Sequence, residues 1–469
     1  MPPDVFARSG VMGWLERRVP PVSAEAAALF RIVFGALLLV FFATHRVDAD
    51  WLARAVAESP LHRLALPMFE AAPQLADWIA PWIALWAVLF VAGAAARLSF
   101  AMMTAGAVAW SLVYTMRVGA HAVEVLPLAM LGLLTAPWSP AWSIRWGRRP
   151  ADRTPRRAYG YAIWLPGFVL GTSLAAAAFA KIRLGGLAWI TNGTVKYHFL
   201  TDSLDAPLDW GVRLARHDGL AVVLSFAAVA IEALVIVGAC ATRDRYRIAA
   251  GAAAAALLVG FALFQGLFWP AWWLLLLAFL PWHRVRAEPR LDPDPTSRET
   301  APRPPSAGPA DEPGARRPAP ARGEGRTPRG LRELHPMQVA VVAAIVLQQA
   351  AASAARIELA PLVSAFDMYS STYASPADYE SQSGMSYWVA AWFDDGRRDS
   401  CRVSQDDADA VAGGASPPRL ARVLQNCFDT AAPSVRAVAV EGSRRAIDWA
   451  RWRLGEEVRV TLAGPFPID

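Results

Sequence analysis

Of the 46 basic Lys and Arg residues in this 469-residue sequence, only Lys181 and Lys196 are lysines. Arginine keeps its proton in proteins, whereas a desolvated lysine can lose one and act as a base. Lys181 follows Ala175-Ala176-Ala177-Ala178-Phe179-Ala180, an apolar run ending at a membrane edge. Apolar surroundings disfavour the ammonium, which is the condition for acting as a base. The alternative for such a lysine is snorkelling, with the stem along apolar surface and the charge in water. His121, His198, His217 and Gln265 are expected on the same side of the membrane as Lys181. For each histidine the alternative is a solvated loop position. None falls in the middle of a span, which disfavours a haem held by two helical histidines.

Glu232 and Arg31 are ionisable residues inside apolar runs, where an unpaired charge is costly. At 1.5 Å per residue, Arg31 sits about 10 Å and Glu232 about 15 Å from the inner ends of their helices. Those depths predict a structural ion pair between Arg31 and Glu232. Asp48 and Asp50 follow the first helix, where glycosyltransferases using polyprenyl-linked sugars often carry acidic residues; two surface aspartates are the alternative. Cys401 and Cys427 lie in the C-terminal region, where an oxidising compartment permits a disulfide between them. Cys240 reads as a packing residue. There is no Cys-x-x-Cys spacing, and no metal site is expected.

These side chains need a membrane scaffold to position them. Hydrophobic residues make up 55% of the chain and charged residues 18%, below the roughly 25% of soluble domains. Apolar runs of about 20 residues suit a bilayer core. They give approximate spans at 25–43, 78–96, 98–116, 122–138, 160–181, 219–241, 248–267, 269–282 and 336–353, the eighth being short. Trp78, Trp82, Trp138, Trp142, Trp269 and Trp282 border these runs as an aromatic belt would. The first run reads as a retained anchor.

Arginines cluster in the N-terminal segment (Arg8, Arg17, Arg18), at 145–157 and at 243–247. With nine spans all three clusters share one side, and the positive-inside rule makes that side cytoplasmic. The expectation is a multi-pass protein of the cell inner (cytoplasmic) membrane, N-terminus inside and C-terminus outside. The net charge of +6 then reflects topology, and no nucleic-acid partner is expected.

The fold class predicted is an α-helical polytopic membrane protein of about nine transmembrane helices with a small C-terminal extracytoplasmic α+β module. Residues 1–283 form an eight-helix transmembrane domain, 284–335 a Pro/Arg-rich cytoplasmic linker without the apolar content to fold, 336–353 the ninth helix and 354–469 the module. Within the module, Tyr387 to Phe393 followed by Asp394-Asp395-Gly396 predicts a β-hairpin. Pro418–Phe428 reads as a helix, and Ser434–Val440 and Glu457–Leu462 as strands.

Short segments also carry a resemblance. Phe179-Ala180-Lys181-Ile182 with Trp189, Gly193 and Tyr197 resembles the Ala-x-x-Lys-Leu…Trp-x-x-Gly stretch of the vitamin K-dependent gamma-carboxylase family. That family includes bacterial HTTM (horizontally transferred transmembrane) domain proteins. Arg31 to Gly35, Pro207 to Trp210, Ile231 to Leu234 and Met368 to Thr372 are similar to its other blocks. The resemblance implies Lys181 as the base that deprotonates reduced vitamin K, and His121 as its catalytic partner. Ala120-His121 stands where the family has Asn-His. It further implies a quinol-coupled carboxylase-like lyase using a menaquinone- or vitamin K-like cofactor, with Trp189, His198 and Gln265 at the cofactor and a protein substrate on the extracytoplasmic side. Two other readings stand beside it: a non-catalytic membrane scaffold, binding or transport protein, and a glycosyltransferase using polyprenyl-linked sugars.

Overall fold

The computed structural model describes residues 10–52, 59–117, 120–138, 141–144, 155–202, 206–284, 334–355, 357, 359, 370–382, 386–403, 405–414, 417–428 and 435–467. The linker predicted at 284–335, apart from its ends, and Met368, Tyr369 and Ser434 lie outside the described residues.

The chain is mostly helical. It begins with α1 (Val11–Arg18), α2 (Ala24–Thr44), α3 (Ala49–Leu52), α4 (Pro60–Ala71), α5 (Gln74–Ala92), α6 (Ala96–Tyr114) and α7 (Val125–Leu133). The long α8 (Arg157–Gly185) is followed by α9 (Ala188–Thr191), α10 (Val195–Thr201) and α11 (Trp210–Ala215). Then come α12 (Asp218–Ala239), α13 (Asp244–Gln265), α14 (Pro270–Leu275) and α15 (Pro336–Ala355).

Among the described residues, seven helices are long and apolar enough to cross a membrane: α2, α5, α6, α8, α12, α13 and α15. The runs predicted as spans at 122–138 and 269–282 are different. The first forms only the nine residues of α7, after a 3-10 turn at Ala120–Ala122. The second forms α14 and a 3-10 turn at Leu276–Phe279, stopping where Leu280 turns extended before Pro281. Proline disfavours a helical residue before it, which breaks the run there. At 1.5 Å per residue neither helix alone covers the roughly 30 Å of a hydrocarbon core.

Arg18, Arg156 and Arg243 lie at one end of the bundle. Val22 and Arg156 pair as a β-bridge, Arg18 Nη1 donates to the Cys240 carbonyl and the Ile144 amide to the Ala92 carbonyl. At the far end the Trp272 indole donates to the His121 carbonyl and Gln265 to Asp202. Small residues let the central helices approach closely. A Cβ on Gly171 of α8 would sit 2.7 Å from Ile236 Cα of α12, and one on Gly238 2.1 Å from Ala250 Cβ of α13. Most of α8 is therefore buried, whereas most residues of α12 and α13 are only partly buried or exposed.

Beyond α15 lie α16 (Pro376–Gln382), β1 (Ser386–Phe393), β2 (Arg398–Val403), α17 (Gln405–Ala412), α18 (Pro417–Phe428), β3 (Val435–Asp448) and β4 (Arg453–Pro467). The antiparallel sheet has the order β2-β1-β3-β4. The predicted hairpin is β1–β2, with Gly396 in the left-handed conformation its turn requires (φ 82°). The strands β3 and β4 run well beyond the segments predicted. Val389, Ala391, Val438 and Val440 pack with Val411 and Leu424 as the core of this module. Cys401 and Cys427 form a disulfide, Cα atoms 5.5 Å apart, tying β2 to α18.

A separate aromatic cluster joins the sheet to the helices. Tyr197 of α10 stacks on Tyr379 at 5.2 Å and meets Tyr373 and Trp452 at 5.2 and 5.9 Å. Lys196, the second lysine, bonds Asp218 at 2.6 Å and lies over the Tyr197 and Trp452 rings. Burial, with Asp218 and Asp378 adding to it, pushes the Tyr197 hydroxyl up to about 12.

Candidate functional site

Lys181 lies on the last turns of α8 and is 3% exposed. A helical Cα–Cβ bond leans toward the helix N-terminus, so the Lys181 side chain starts back along α8, into the bundle. Glu232 lies on α12, which runs antiparallel to α8, Trp164 meeting Ala239, Gly171 meeting Ile236 and Lys181 meeting Glu232. The same rule leans Glu232 toward the far end, and the two side chains converge. Lys181 Nζ is 2.9 Å from Glu232 Oε1 and 3.0 Å from Oε2. The snorkelling alternative does not describe this lysine, whose ammonium is held inside the protein by both carboxylate oxygens.

The pair predicted between Arg31 and Glu232 does not form. The Arg31 guanidinium, fully buried on α2, donates to Ser143 Oγ at 2.7 Å and to the carbonyls of Trp142 and Ala141 at 3.0 and 3.4 Å. Counting residues along each helix gave the two groups similar depths, but their side chains turn to different neighbours. Glu232 faces α8, and Arg31 faces the 141–143 segment beside the Gly93 turn.

An aromatic wall covers the Lys181–Glu232 pair. The ammonium lies 5.6 Å from the centroid of Trp189, itself 1% exposed. Trp189 is stacked with His198 at 6.3 Å, and His198 meets the Tyr373 ring at 5.9 Å. Two glycines shape this corner. A Cβ on Gly185 would meet Thr372 Oγ1 at 1.9 Å, so only glycine lets residues 370–373 lie over the end of α8. Gly193 (φ 61°) brings the α9–α10 turn against Ala221 of α12. Ser225 Oγ, on the Glu232 face of α12, accepts the Val195 amide at 3.2 Å. The hydroxyls of Thr194 and Thr372 are buried with no hydrogen-bond partner among the described residues.

Trp189 and His198 thus lie in the Lys181 neighbourhood. Gln265 instead bonds Asp202 Oδ2 at 2.9 Å, where it ties α13 to the end of α10. The contacts of Lys181 do not include His121. The His121 Nδ1 is 3.9 Å from Glu124 Oε2, with the histidine side chain 25% exposed and the glutamate 3%. Lys181 lines none of the cavities bounded by Gly93 and Ser143, by Arg18 and Gly238, by Asp48 and Asp77, or by Trp78 and Gly106. Asp48 accepts the Trp51 amide at 2.7 Å, a local turn contact, on an exposed loop.

Glu124, Ser225, Thr194 and Thr372 are site residues that sequence reasoning missed. Thr372 fell inside a segment singled out for its resemblance; the others carry no spacing signal. In comparisons with protein-family models, curated proteins and solved structures, nothing matches this chain.

Proposed function

We propose that this chain is a multi-pass membrane enzyme that handles the proton of a phenol-type lipid, a quinol of the menaquinone or vitamin K kind, at the Lys181–Glu232 pair. The observation that carries the reading is a lysine–carboxylate pair, both members under 4% exposed, in the interior of an apolar helix bundle. Ionisable groups at such positions are costly and mark pathways for ions, protons or ligands. Proton transfer within the pair interconverts ammonium–carboxylate with amine–carboxylic acid, so a proton moves without leaving net charge in the membrane.

The residues around the pair carry groups that a quinol would use. Trp189, His198 and Tyr373 offer flat apolar faces, and Thr194 and Thr372 carry buried hydroxyls able to meet ring oxygens. Such a cofactor would supply an acidic phenolic O–H and, once deprotonated, reactivity toward oxygen. Lys181 would accept the proton as the free amine, Glu232 would hold and release it, and Trp189 would keep water from the pair. The resemblance to gamma-carboxylases motivates the carboxylase-like outcome; His121 with Glu124 is then a separate titratable pair at the same end of the bundle.

The proposed topology has nine passes, with the two broken segments completing crossings. Residues 120–144 lead from the Trp272–His121 contact to the Arg31–Ser143 contact, and residues 266–284 lead from beside Gln265 to the Arg284–Asp244 pair. The arginine-bearing end would face the cytoplasm, and the disulfide-bonded module would be extracytoplasmic, at the inner membrane.

One observation favours a second reading, a non-catalytic membrane protein in which the pair only clamps α8 to α12: both carboxylate oxygens are engaged by the ammonium. Mass spectrometry of lipids extracted from the purified protein separates the two. An isoprenoid quinone retained by wild type and lost from Lys181→Ala supports the first reading. Equal lipid content in both proteins supports the clamp.

A further inference from the structure

We propose that the groove between α12 and α13 is a binding site for one anionic phospholipid of the surrounding bilayer. The groove is a cavity of about 640 Å³ at the arginine-bearing end of the bundle. Gly238 and Ala250 bring the two helices into contact, and the space beside that contact is walled by Leu234 and Ala253. Leu234 is 60% exposed and Val237 62%, so this wall faces the lipid rather than another helix.

The charge at the mouth identifies the occupant. Arg18 and Arg243 both line the groove. Arg18 donates to the Cys240 carbonyl and lies over the Trp14 ring, and among the described residues neither arginine forms an ion pair with a carboxylate. The neighbouring carboxylate, Asp244, is turned to Arg284 at 3.3 Å. Arg247 donates instead to the buried Ala278 carbonyl. Two uncompensated guanidiniums above an apolar trough match a phosphate headgroup joined to acyl chains. Basic pockets between transmembrane helices recognise anionic headgroups in this way, and guanidinium meets phosphate through paired hydrogen bonds. Tyr246, half exposed on the rim, sits at the level an interfacial aromatic takes. This site is independent of the Lys181 chemistry.

The test is native mass spectrometry of the full chain in mild detergent with added phosphatidylglycerol, phosphatidylcholine of the same acyl chains, or inorganic phosphate. Wild type is expected to retain one phosphatidylglycerol in preference to phosphatidylcholine. Arg18→Gln with Arg243→Gln is expected to reduce that preference about tenfold, the scale of losing charge-assisted hydrogen bonds. Ala253→Trp fills the trough and is expected to expel the lipid with both arginines in place. It decides the matter alone if the double variant fails to fold. Phosphatidylglycerol retention unchanged in Ala253→Trp, no preference in wild type, or equal binding of phosphate without acyl chains would each overturn the proposal.

Discussion

Lys181 and Glu232, 51 residues apart in sequence, meet with both carboxylate oxygens within 3.0 Å of one ammonium nitrogen inside the helix bundle. The contact follows from two antiparallel helices whose side chains lean toward their own N-termini and so toward each other. It also makes the pair separable by mutation. Removing one partner leaves a buried charge without compensation, whereas removing both leaves an apolar contact. Lys181→Met or Glu232→Leu alone is expected to destabilise the bundle by about 3–5 kcal/mol, and the double variant by much less. Denaturant titration of the purified protein measures this. Additive losses in the double variant would show that the two side chains are not coupled.

The aromatic cluster gives a pH prediction. The Tyr197 hydroxyl is raised from 10.0 to about 12, chiefly by burial. A raised folded-state value means the folded protein binds its proton more tightly than the unfolded chain. The stabilisation is fully present below pH 10 and is lost as the pH rises through about 12. The difference in tyrosinate absorbance between wild type and Tyr197→Phe is expected to titrate near pH 12. A midpoint near 10 would place the hydroxyl in water.

The disulfide gives a stability prediction confined to the C-terminal module. Cys401 and Cys427 are 26 residues apart, and closing a loop of that size restricts the unfolded chain by about 3–4 kcal/mol. Cys401→Ser with Cys427→Ser is expected to make residues 386–467 the first part cut in limited proteolysis. Digestion patterns identical to wild type would mean the bridge contributes little.

Two glycines form a matched pair of substitutions. Gly185→Ala drives a Cβ into Thr372 and is expected to displace residues 370–373 from the Lys181 corner. Gly219→Ala meets nothing within 4 Å on α12 and is expected to be neutral or stabilising by up to about 1 kcal/mol. Thermal unfolding of both distinguishes them, with Gly185→Ala the less stable. Equal midpoints would mean residues 370–373 are not held against α8.

Much of this architecture could be read from residue order, because membrane helices announce themselves by length and apolarity. Seven of the nine expected spans are such helices. The runs at 122–138 and 269–282 form only the short helices α7 and α14, because hydropathy does not register local turns such as the 3-10 turn at Ala120–Ala122 or the extended Leu280 before Pro281. The burial of Glu232 and Arg31 was legible from their apolar surroundings, but their partners were not. Depth comes from counting residues, whereas the direction a side chain faces depends on which helix packs beside it. Trp189 and His198 could be placed near Lys181 by their closeness in sequence. Ser225 and Thr372 could not, since nothing local marks a residue that arrives from a distant helix or from beyond α15. The hairpin was legible from its Asp-Gly turn, and the strands β3 and β4 only in part, because polar residues such as Arg444 and Glu457 interrupt their apolar alternation.

The most direct test uses Lys181→Arg in purified protein supplied with a reduced menaquinone analogue, following oxygen uptake. Arginine can still bond both oxygens of Glu232 and hold α8 to α12, but it cannot become the neutral amine. Wild type is expected to show quinol-dependent uptake, and Lys181→Arg to fold normally and show none. Undiminished uptake in Lys181→Arg, or no quinol-dependent uptake in wild type, would contradict a proton-accepting role for Lys181.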